Sequence, residues 1–282
     1  MSEGGESQAA VVHCRVHGTT DRPLACTRCG TPTCPQCLTP AAVGSHCPDC
    51  IREGARSQRV VRTPFGARAN ERRGVSTVLV MVNVAVYVAQ SAGIKISGQT
   101  IETRFELFHP AVANGEWWRL LTSTFLHGSI IHLAFNMAAL VAFGPQVEAA
   151  MGRVRFASLY FLAALGGSVG GYVFGPAIGA SVGASGAIFG IFAAYFVIAR
   201  RVGADTNPIL ALLGINLVLS FASPLIDWRG HLGGMVTGLL AAWALASMPR
   251  VRRRAALQAA ALAIIFLALV VATAYRTATF PV

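Results

Sequence analysis

One serine stands among small and apolar residues in the stretch GASGAIFG, residues 183–190, within a segment apolar enough to cross a membrane. A serine becomes a nucleophile when a base takes its proton, and a neutral histidine is such a base near pH 7. Ser185 and His231 are candidates for these roles. Attack on a peptide carbonyl also creates an oxyanion that needs donors placed in advance, and His132, Asn136 and the Ser185 N–H fit that need. Alternatively, a serine in an apolar helix bonds only to its own backbone.

A second group of residues could bind metal ions. It comprises all seven cysteines, which lie between positions 14 and 50. With one histidine they form four pairs, each with a two-residue gap: Cys14 with His17, Cys26 with Cys29, Cys34 with Cys37, and Cys47 with Cys50. Eight such ligands suffice for two tetrahedral Zn²⁺ ions. A disulfide cluster is the alternative, but it needs an oxidising compartment and leaves one of the seven cysteines unpaired.

The spacing alone leaves open how the ligands divide between the two ions. Sequential sharing would split them at residue 30, whereas interleaved sharing would group Cys14, His17, Cys34 and Cys37 on one ion and Cys26, Cys29, Cys47 and Cys50 on the other. The segment resembles the B-box and RING-like zinc fingers, which implies the interleaved arrangement. His13 and His46 are spare and could replace a ligand. A module this small buries little core, so we expect the zinc to be structural rather than catalytic.

The composition indicates a membrane protein. Of the 282 residues 54% are hydrophobic and only 12% are charged, about half the charged fraction of a soluble domain. Apolar runs long enough to cross about 30 Å of hydrocarbon predict seven spans. These lie at approximately 75–92, 129–147, 156–174, 182–199, 207–223, 229–247 and 255–275.

The net charge of +11 comes from arginines that flank the apolar runs. This placement favours orientation in the membrane and contact with anionic lipid headgroups over nucleic-acid binding. A cytoplasmic N-terminus puts every strongly basic segment on the inside, including the linker at 52–74, Arg153 and Arg155, Arg200 and Arg201, and Arg250 with residues 252–254. The same orientation keeps the thiols reduced and places the C-terminus outside the cytoplasm. We expect a multi-pass protein of the cell membrane.

The candidate catalytic residues share one depth in this orientation. His132, Ser185 and His231 each lie within one turn of the outer end of spans two, four and six, with Ser185 about 5 Å deep. Asn136 follows His132 at i+4, on the same helical face. Polar groups in a span indicate function, and a common shallow layer suits a water-accessible site. A channel or transporter would instead need ionisable residues at several depths.

Small residues predict close contact between spans four and six. Span four has Gly183, Gly186 and Gly190, and span six has Gly230, Gly234 and Gly238. Glycines at such spacing let membrane helices touch backbone to backbone. Ser185 could then reach His231.

Taken together, these residues resemble the rhomboid family of intramembrane serine proteases over roughly positions 75–250. The matching residues are Trp118-Arg119 in the first outer loop, His127, His132 and Asn136, the stretch 183–187, and His231 with Gly234 and Gly238. The resemblance implies that Ser185 is the nucleophile, His231 the base and acid, and His132 and Asn136 the oxyanion donors, with no cofactor in catalysis. It also implies that Phe189 packs beneath the imidazole.

We also expect specific roles for several residues near the candidate site. Gly230 stands where family members often have alanine. Asp227, one turn before His231, is an alternative orienting group, although we expect it to face solvent. We expect His127 to be a structural residue of the outer loop. Ser181, a rival nucleophile, is expected to cap span four.

The expected fold is an all-α polytopic membrane protein with a six-helix rhomboid-like core plus a seventh C-terminal helix, preceded by a small zinc-stabilised domain. The predicted domains are a zinc module at 1–51, a basic, mobile juxtamembrane linker at 52–74, the six-helix domain at 75–250, and the last helix with its tail at 251–282. The resemblance implies single-span membrane proteins as substrates. A catalytically silent relative that binds membrane segments is the alternative. The zinc module could recruit a cytoplasmic partner.

Overall fold

The computed structural model describes residues 12–14, 17–20, 23–57, 63–66, 74–223, 226–249 and 251–281. The chain divides between positions 60 and 61 into two compact units. The first contains the cysteines, and the second contains all the long helices among the described residues.

Three short antiparallel hairpins and one helix make up the described part of the N-terminal unit. Strand β1 (Val12–Cys14) pairs with β2 (Gly18–Thr20), β3 (Leu24–Ala25) with β4 (Pro32–Thr33), and β5 (Thr39–Pro40) with β6 (Ser45–His46). A 3₁₀ turn at Pro35–Cys37 lies between β4 and β5, and helix α1 (Pro48–Ser57) follows β6. The buried apolar cluster is small, with Leu38 packed against Cys26, Cys47 and Cys50. Helix α1 also covers positions 52–57, which the sequence assigned to the linker.

The second unit is a bundle of helices joined by short connections and one long loop. Its helices are α2 (Val75–Ser91), α3 (Ile101–Phe105), α4 (His109–Ala113), α5 (Arg119–Thr122), α6 (Ile130–Met151), α7 (Arg153–Phe174), α8 (Ser185–Val202), α9 (Asn207–Ala222), α10 (Trp228–Ser247) and α11 (Arg254–Ala278). Its strands are β7 (Lys95–Ile96) with β8 (Gln99–Thr100), and β9 (Leu107–Phe108) with β10 (Ala180–Ser181). A 3₁₀ turn at Ser123–Phe125 precedes α6.

The long helices agree with the predicted spans to within about one helical turn at each end. Four of them, α6, α7, α8 and α11, are long and apolar enough to cross a membrane by length and composition. Helices α2 and α9 are apolar but shorter, with 17 and 16 residues, and α10 has 20 residues. The predicted all-α polytopic membrane fold is confirmed.

Helix α10 packs against α7 and α8 more extensively than any other described pair of helices pack together. On the α8 side, a Cβ atom on Gly234 would collide with the backbone carbonyl of Gly186, and one on Gly238 would collide with the Cα atom of Gly190. The prediction of a glycine contact between spans four and six is therefore correct for these four residues.

Glycine also sets the contact of α10 with α7, which the sequence analysis missed. A Cβ atom on Gly167 would lie 3.0 Å from the Gly230 carbonyl oxygen, and one on Gly170 would lie 2.8 Å from that of Arg229. Helix α10 therefore touches backbone on two sides, which fixes its distance from both neighbours.

A buried carboxylate holds the start of α2 against the end of α6. Glu148 is 2% exposed and accepts hydrogen bonds from the N–H groups of Gly74, Val75 and Ser76 and from the Ser76 hydroxyl, at 2.7–3.0 Å. An acidic group at a helix N-terminus satisfies donors that have no partner within the helix.

A short part of the predicted linker, residues 63–66, packs onto the membrane unit. Phe65 is completely buried in the main apolar core. The Arg254 guanidinium at the start of α11 donates to the Pro64 carbonyl at 2.7 Å. The prediction of a mobile linker therefore needs correction at residues 63–66, because Phe65 and the Arg254–Pro64 hydrogen bond hold them against the bundle.

The glycine contact makes a specific prediction about stability. We expect Gly234→Ala to lower the free energy of unfolding by about 1–3 kcal/mol, because the added methyl group meets backbone that cannot move aside easily. Gly214→Ala on α9 is the matched control, since a Cβ there has nothing within 4 Å. Thermal unfolding in detergent measures both. Equal melting temperatures for the two variants would contradict the proposed packing.

Candidate active site and metal groups

Ser185 is the first residue of α8, where backbone donors are free. The preceding Ala184 offers no side-chain cap, and the first N–H groups of a helix have no intrahelical partner. Ser185 is half-buried. Within the described part of the chain its hydroxyl makes no hydrogen bond to another protein group, so it is not bonded to its own helix. The alternative that Ser185 only bonds to the backbone of its own helix therefore does not hold.

The imidazole of His132 lies against Gly183, two residues before this serine. Gly183 has φ of 129°, and a Cβ there would lie 2.7 Å from His132 Cε1, 2.8 Å from its Nε2 and 3.8 Å from Ser185 Oγ. Only glycine fits this combination of backbone and contact. Gly183 therefore has a different role from the helix-packing role predicted, since it precedes α8 and makes room for His132.

Asn136 lies one turn further along α6 and is 5% exposed. Its side-chain amide donates to the His132 carbonyl at 2.9 Å. An amide has two N–H donors, so the second remains available. The His132 backbone is fixed in turn, because its N–H donates to Ser129 Oγ at 3.1 Å at the start of the helix.

His231 lies in the first turn of α10 and is held on two sides. Its ring stacks on Phe189, one turn after Ser185, with centroids 4.3 Å apart and planes 20° from parallel. The stacking that the resemblance implied is therefore present in the structure. Its Nδ1 atom lies 2.7 Å from Ser220 Oγ on α9. Ser220 is 1% exposed and was missed in the sequence analysis, because a lone serine in an apolar helix gives no distinctive signal.

Asp227 caps α10 and does not contact the His231 ring. Its carboxylate accepts from the Gly230 N–H at 3.1 Å. It also faces α7, since a Cβ on Gly171 would lie 2.6 Å from Oδ2. The expectation that this side chain faces solvent is therefore corrected, and Ser220 occupies the position on Nδ1 that an orienting carboxylate would take.

The long outer loop is fastened beside α8. Strand β9 pairs with β10, so that Ser181 lies opposite Leu107. The expectation that Ser181 caps α8 is wrong, because the cap position is Ala184 and Ser181 lies within a strand. His109, also missed from the sequence, donates from Nδ1 to the Pro176 carbonyl at 2.7 Å.

Arg119 ties the rest of this loop together. It is 5% exposed, pairs with Glu116 at 2.7 Å, and donates to the carbonyls of Thr103 and Glu106 at 2.9 and 3.0 Å. The adjacent Trp118 is exposed, as expected for a residue at the headgroup layer.

His127 stands beside the site in a buried position. Its ring meets the edge of the His132 ring with centroids 5.2 Å apart, and its backbone N–H donates to Gln90 Oε1 at 3.2 Å. Burial lowers the pKa of His127 to about 4, so the ring is neutral at pH 7. These contacts suit the structural role expected for it.

The first turns of α6, α8 and α10 thus contribute a histidine, a serine and a second histidine around the same end of α8, and Asn136 follows one turn further along α6. Neutral imidazole can accept a proton from a hydroxyl. The free N–H groups at the start of α8, the second Asn136 N–H and His132 can donate to an anion. The arrangement has the groups needed for acyl transfer.

In the N-terminal unit the eight predicted ligands form two groups whose ligand atoms lie within 4.8 Å of one another. They are Cys14, His17, Cys34 and Cys37, and Cys26, Cys29, Cys47 and Cys50. This is the interleaved partition. His46 belongs to neither group, and the side chain of His13 lies outside the described part of the chain.

The distances within these groups suit a metal better than a disulfide. The sulfurs of Cys14 and Cys37 are 3.7 Å apart, as are those of Cys29 and Cys47. A zinc–sulfur bond of about 2.3 Å gives a tetrahedral edge of about 3.8 Å, whereas a disulfide needs about 2.0 Å. The Cys47 N–H donates to Cys26 Sγ at 3.2 Å, and a hydrogen bond of this kind stabilises a thiolate.

Comparisons with known proteins agree with this geometry. The Rhomboid domain family matches residues 114–248. The protein named "Putative rhomboid protease YdcA" of Bacillus subtilis is 38% identical over 138 residues, which cover 47% of this chain and 69% of that protein. The chain belongs to the rhomboid family. Two further relatives agree, although more of their length lies outside the similarity.

The rhomboid protease GluP of Bacillus subtilis is 41% identical over 142 residues, covering 48% of this chain and 27% of GluP. RHOMBOID-like protein 4 of Arabidopsis thaliana is 34% identical over 162 residues, covering 54% of this chain and 40% of that protein. The rhomboid match includes the first turns of α6, α8 and α10. Helices α2 and α11 and both Cys/His groups lie outside the matched residues.

Proposed function

We propose that this rhomboid protein is an intramembrane serine endopeptidase that uses Ser185 and His231. The observation that supports this most strongly is the stacking of His231 on Phe189, one turn after Ser185, because an imidazole held beside the start of α8 could serve as the base. The relatives named as rhomboid proteases support the same activity. Catalytic hydrogen bonds often tighten only when substrate is bound, so the unbonded Ser185 hydroxyl is compatible with this role.

In the proposed reaction, Ser185 Oγ attacks the scissile carbonyl carbon while His231 Nε2 takes the hydroxyl proton. The carbonyl oxygen becomes an oxyanion that accepts hydrogen bonds from the Ser185 N–H, Asn136 and His132. His231 then gives its proton to the leaving amine, and the peptide C–N bond breaks to leave an acyl-enzyme. Water attacks this ester with His231 again as base, which releases the new carboxyl end and restores Ser185.

We propose single-span membrane proteins as the substrates, cleaved near the outer surface. The proposed topology has the N-terminus in the cytoplasm and the C-terminus outside the cell membrane. Arginine asymmetry between the connecting segments supports this orientation. A substrate segment would enter from the bilayer and unwind at the polar ends of α6, α8 and α10.

We also propose that each Cys/His group of the N-terminal unit binds one structural Zn²⁺ ion. The ligand sets are Cys14, His17, Cys34 and Cys37, and Cys26, Cys29, Cys47 and Cys50. All four ligand positions of each ion would come from protein, which is typical of structural rather than catalytic zinc. Bound zinc would supply folding free energy to this small unit. We propose that the folded, zinc-bound unit binds a cytoplasmic partner.

The dyad is tested by cleavage of a single-span reporter protein in liposomes. We expect Ser185→Ala and His231→Ala each to lower the cleavage rate by at least about 1,000-fold, because each removes one half of the nucleophile–base pair. Ser181→Ala, in β10, is the matched control and should cleave normally. Undiminished cleavage by Ser185→Ala would refute the assignment. An intact reporter with the wild-type protein would favour the silent membrane-segment binder.

The oxyanion donors are tested by the same reporter. We expect Asn136→Ala to lower kcat by about 100- to 1,000-fold with little change in KM, since the bond forms with charge that develops in the transition state. Asn83→Ala is the control, because Asn83 is also buried and donates to the carbonyl four residues earlier, on α2. Equal effects of the two substitutions would argue that Asn136 is only structural.

Metal content tests the zinc groups. Protein purified under reducing conditions should contain two zinc ions per chain, and Cys37→Ser should lower that content to one by breaking a single group. His46→Ala should retain both ions, because His46 lies in β6 outside either group. A zinc content near zero in the wild-type protein would contradict the assignment.

A further inference from the structure

The second fixed contact of His231 is its hydrogen bond to α9. Ser220 Oγ lies 2.7 Å from His231 Nδ1 and 2.6 Å from the Asn216 carbonyl oxygen, one turn earlier on its own helix. Both contacts are within hydrogen-bond distance, and the serine is almost completely buried. Among the described residues, Ser220 is the one hydrogen-bond partner of this imidazole.

The positions of the protons follow from these two distances. A hydroxyl has one proton to donate and can accept others. A carbonyl oxygen can only accept, and two oxygens 2.6 Å apart without a proton between them would repel. The Ser220 proton therefore lies toward Asn216. Oγ must then accept the bond from His231, so the Nδ1 atom of the imidazole carries the proton.

We propose that Ser220 is a positioning residue that holds His231 in the Nδ1-protonated form and leaves Nε2 free to act as the base. This role rests on the proposed function of His231. Phe189 restrains the plane of the ring, and Ser220 fixes its rotation within that plane. Ser220 would thus take the orienting role that a carboxylate has in a serine–histidine–aspartate triad. Asp227 does not fill that role, since its carboxylate accepts from the Gly230 N–H.

Through the Ser220–His231 hydrogen bond, α9 would also take part in positioning the base. Much of this helix is peripheral, with exposed apolar side chains that include Ile215, Val218 and Phe221. Its polar contact with His231 comes from Ser220, in the last turn of the helix.

Nitrogen-15 NMR of histidine-labelled protein in detergent tests the tautomer without any need for cleavage. We expect wild-type His231 to show a protonated Nδ1 and an unprotonated Nε2, with the signals assigned by their loss in His231→Ala. Ser220→Ala should shift the population toward the Nε2-protonated form. A predominantly Nε2-protonated His231 in the wild type, or an unchanged spectrum in Ser220→Ala, would overturn the proposal.

Kinetics give a second readout that a purely structural role would not produce. We expect Ser220→Ala to lower kcat by about 10- to 100-fold at unchanged KM, the scale typical when a partner that orients a metal-ligating histidine is lost. Ser220→Thr retains the hydroxyl and should restore most of the rate. Thr273→Val is the control, because Thr273 is a buried hydroxyl that donates to its own helix at Leu269.

The outcomes separate this inference from the proposed function. If the wild-type protein does not cleave but His231 shows the Nδ1-protonated form that depends on Ser220, the proposed protease function fails and the positioning contact stands. If the wild type cleaves through Ser185 and Ser220→Ala cleaves equally well, the protease function stands and the positioning role fails. Should Ser220→Ala not fold, the wild-type tautomer and the Ser220→Thr rate decide.

Discussion

The contact between α10 and its two neighbours is the constraint on which the rest of the membrane unit depends. Gly234 and Gly238 lie against the backbone of α8, and Gly230 lies against Gly167 of α7. Without side chains between them the helices approach closely, and the start of α8 lies beside the first two turns of α10. The stacking of His231 on Phe189 is possible only because the helices are this near. The packing that stabilises the bundle is therefore the packing that builds the site.

The polar groups of the site are fixed by contacts of a different kind. Gly183 leaves room for the His132 ring, and the β9–β10 pair with the bond from His109 to Pro176 holds the connection that leads into α8. Such contacts come from loops, which are well suited to position functional groups on a rigid scaffold. The helix bundle and the fastened outer loop together hold the candidate residues His132 and Ser185 in position.

The sequence predicted the helices well because apolar run length directly reflects bilayer thickness. It also identified the candidate residues, since polar groups are conspicuous against an apolar background. It failed where the deciding partner is distant along the chain and chemically ordinary. Ser220 looks like any serine that bonds its own helix, and Phe65 lies in a segment whose arginines dominate its composition. The assignment of Ser181 as a cap failed because strand pairing with Leu107 takes that segment away from the helix.

The central claim is that Ser185 is a nucleophile activated by His231. A fluorophosphonate reacts covalently with such a serine, and mass spectrometry of the digested protein locates the adduct. We expect an adduct on the peptide that contains Ser185 in the wild-type protein, and no adduct there in His231→Ala. An adduct confined to another residue, or equal labelling of Ser185 in the wild type and His231→Ala, would contradict it.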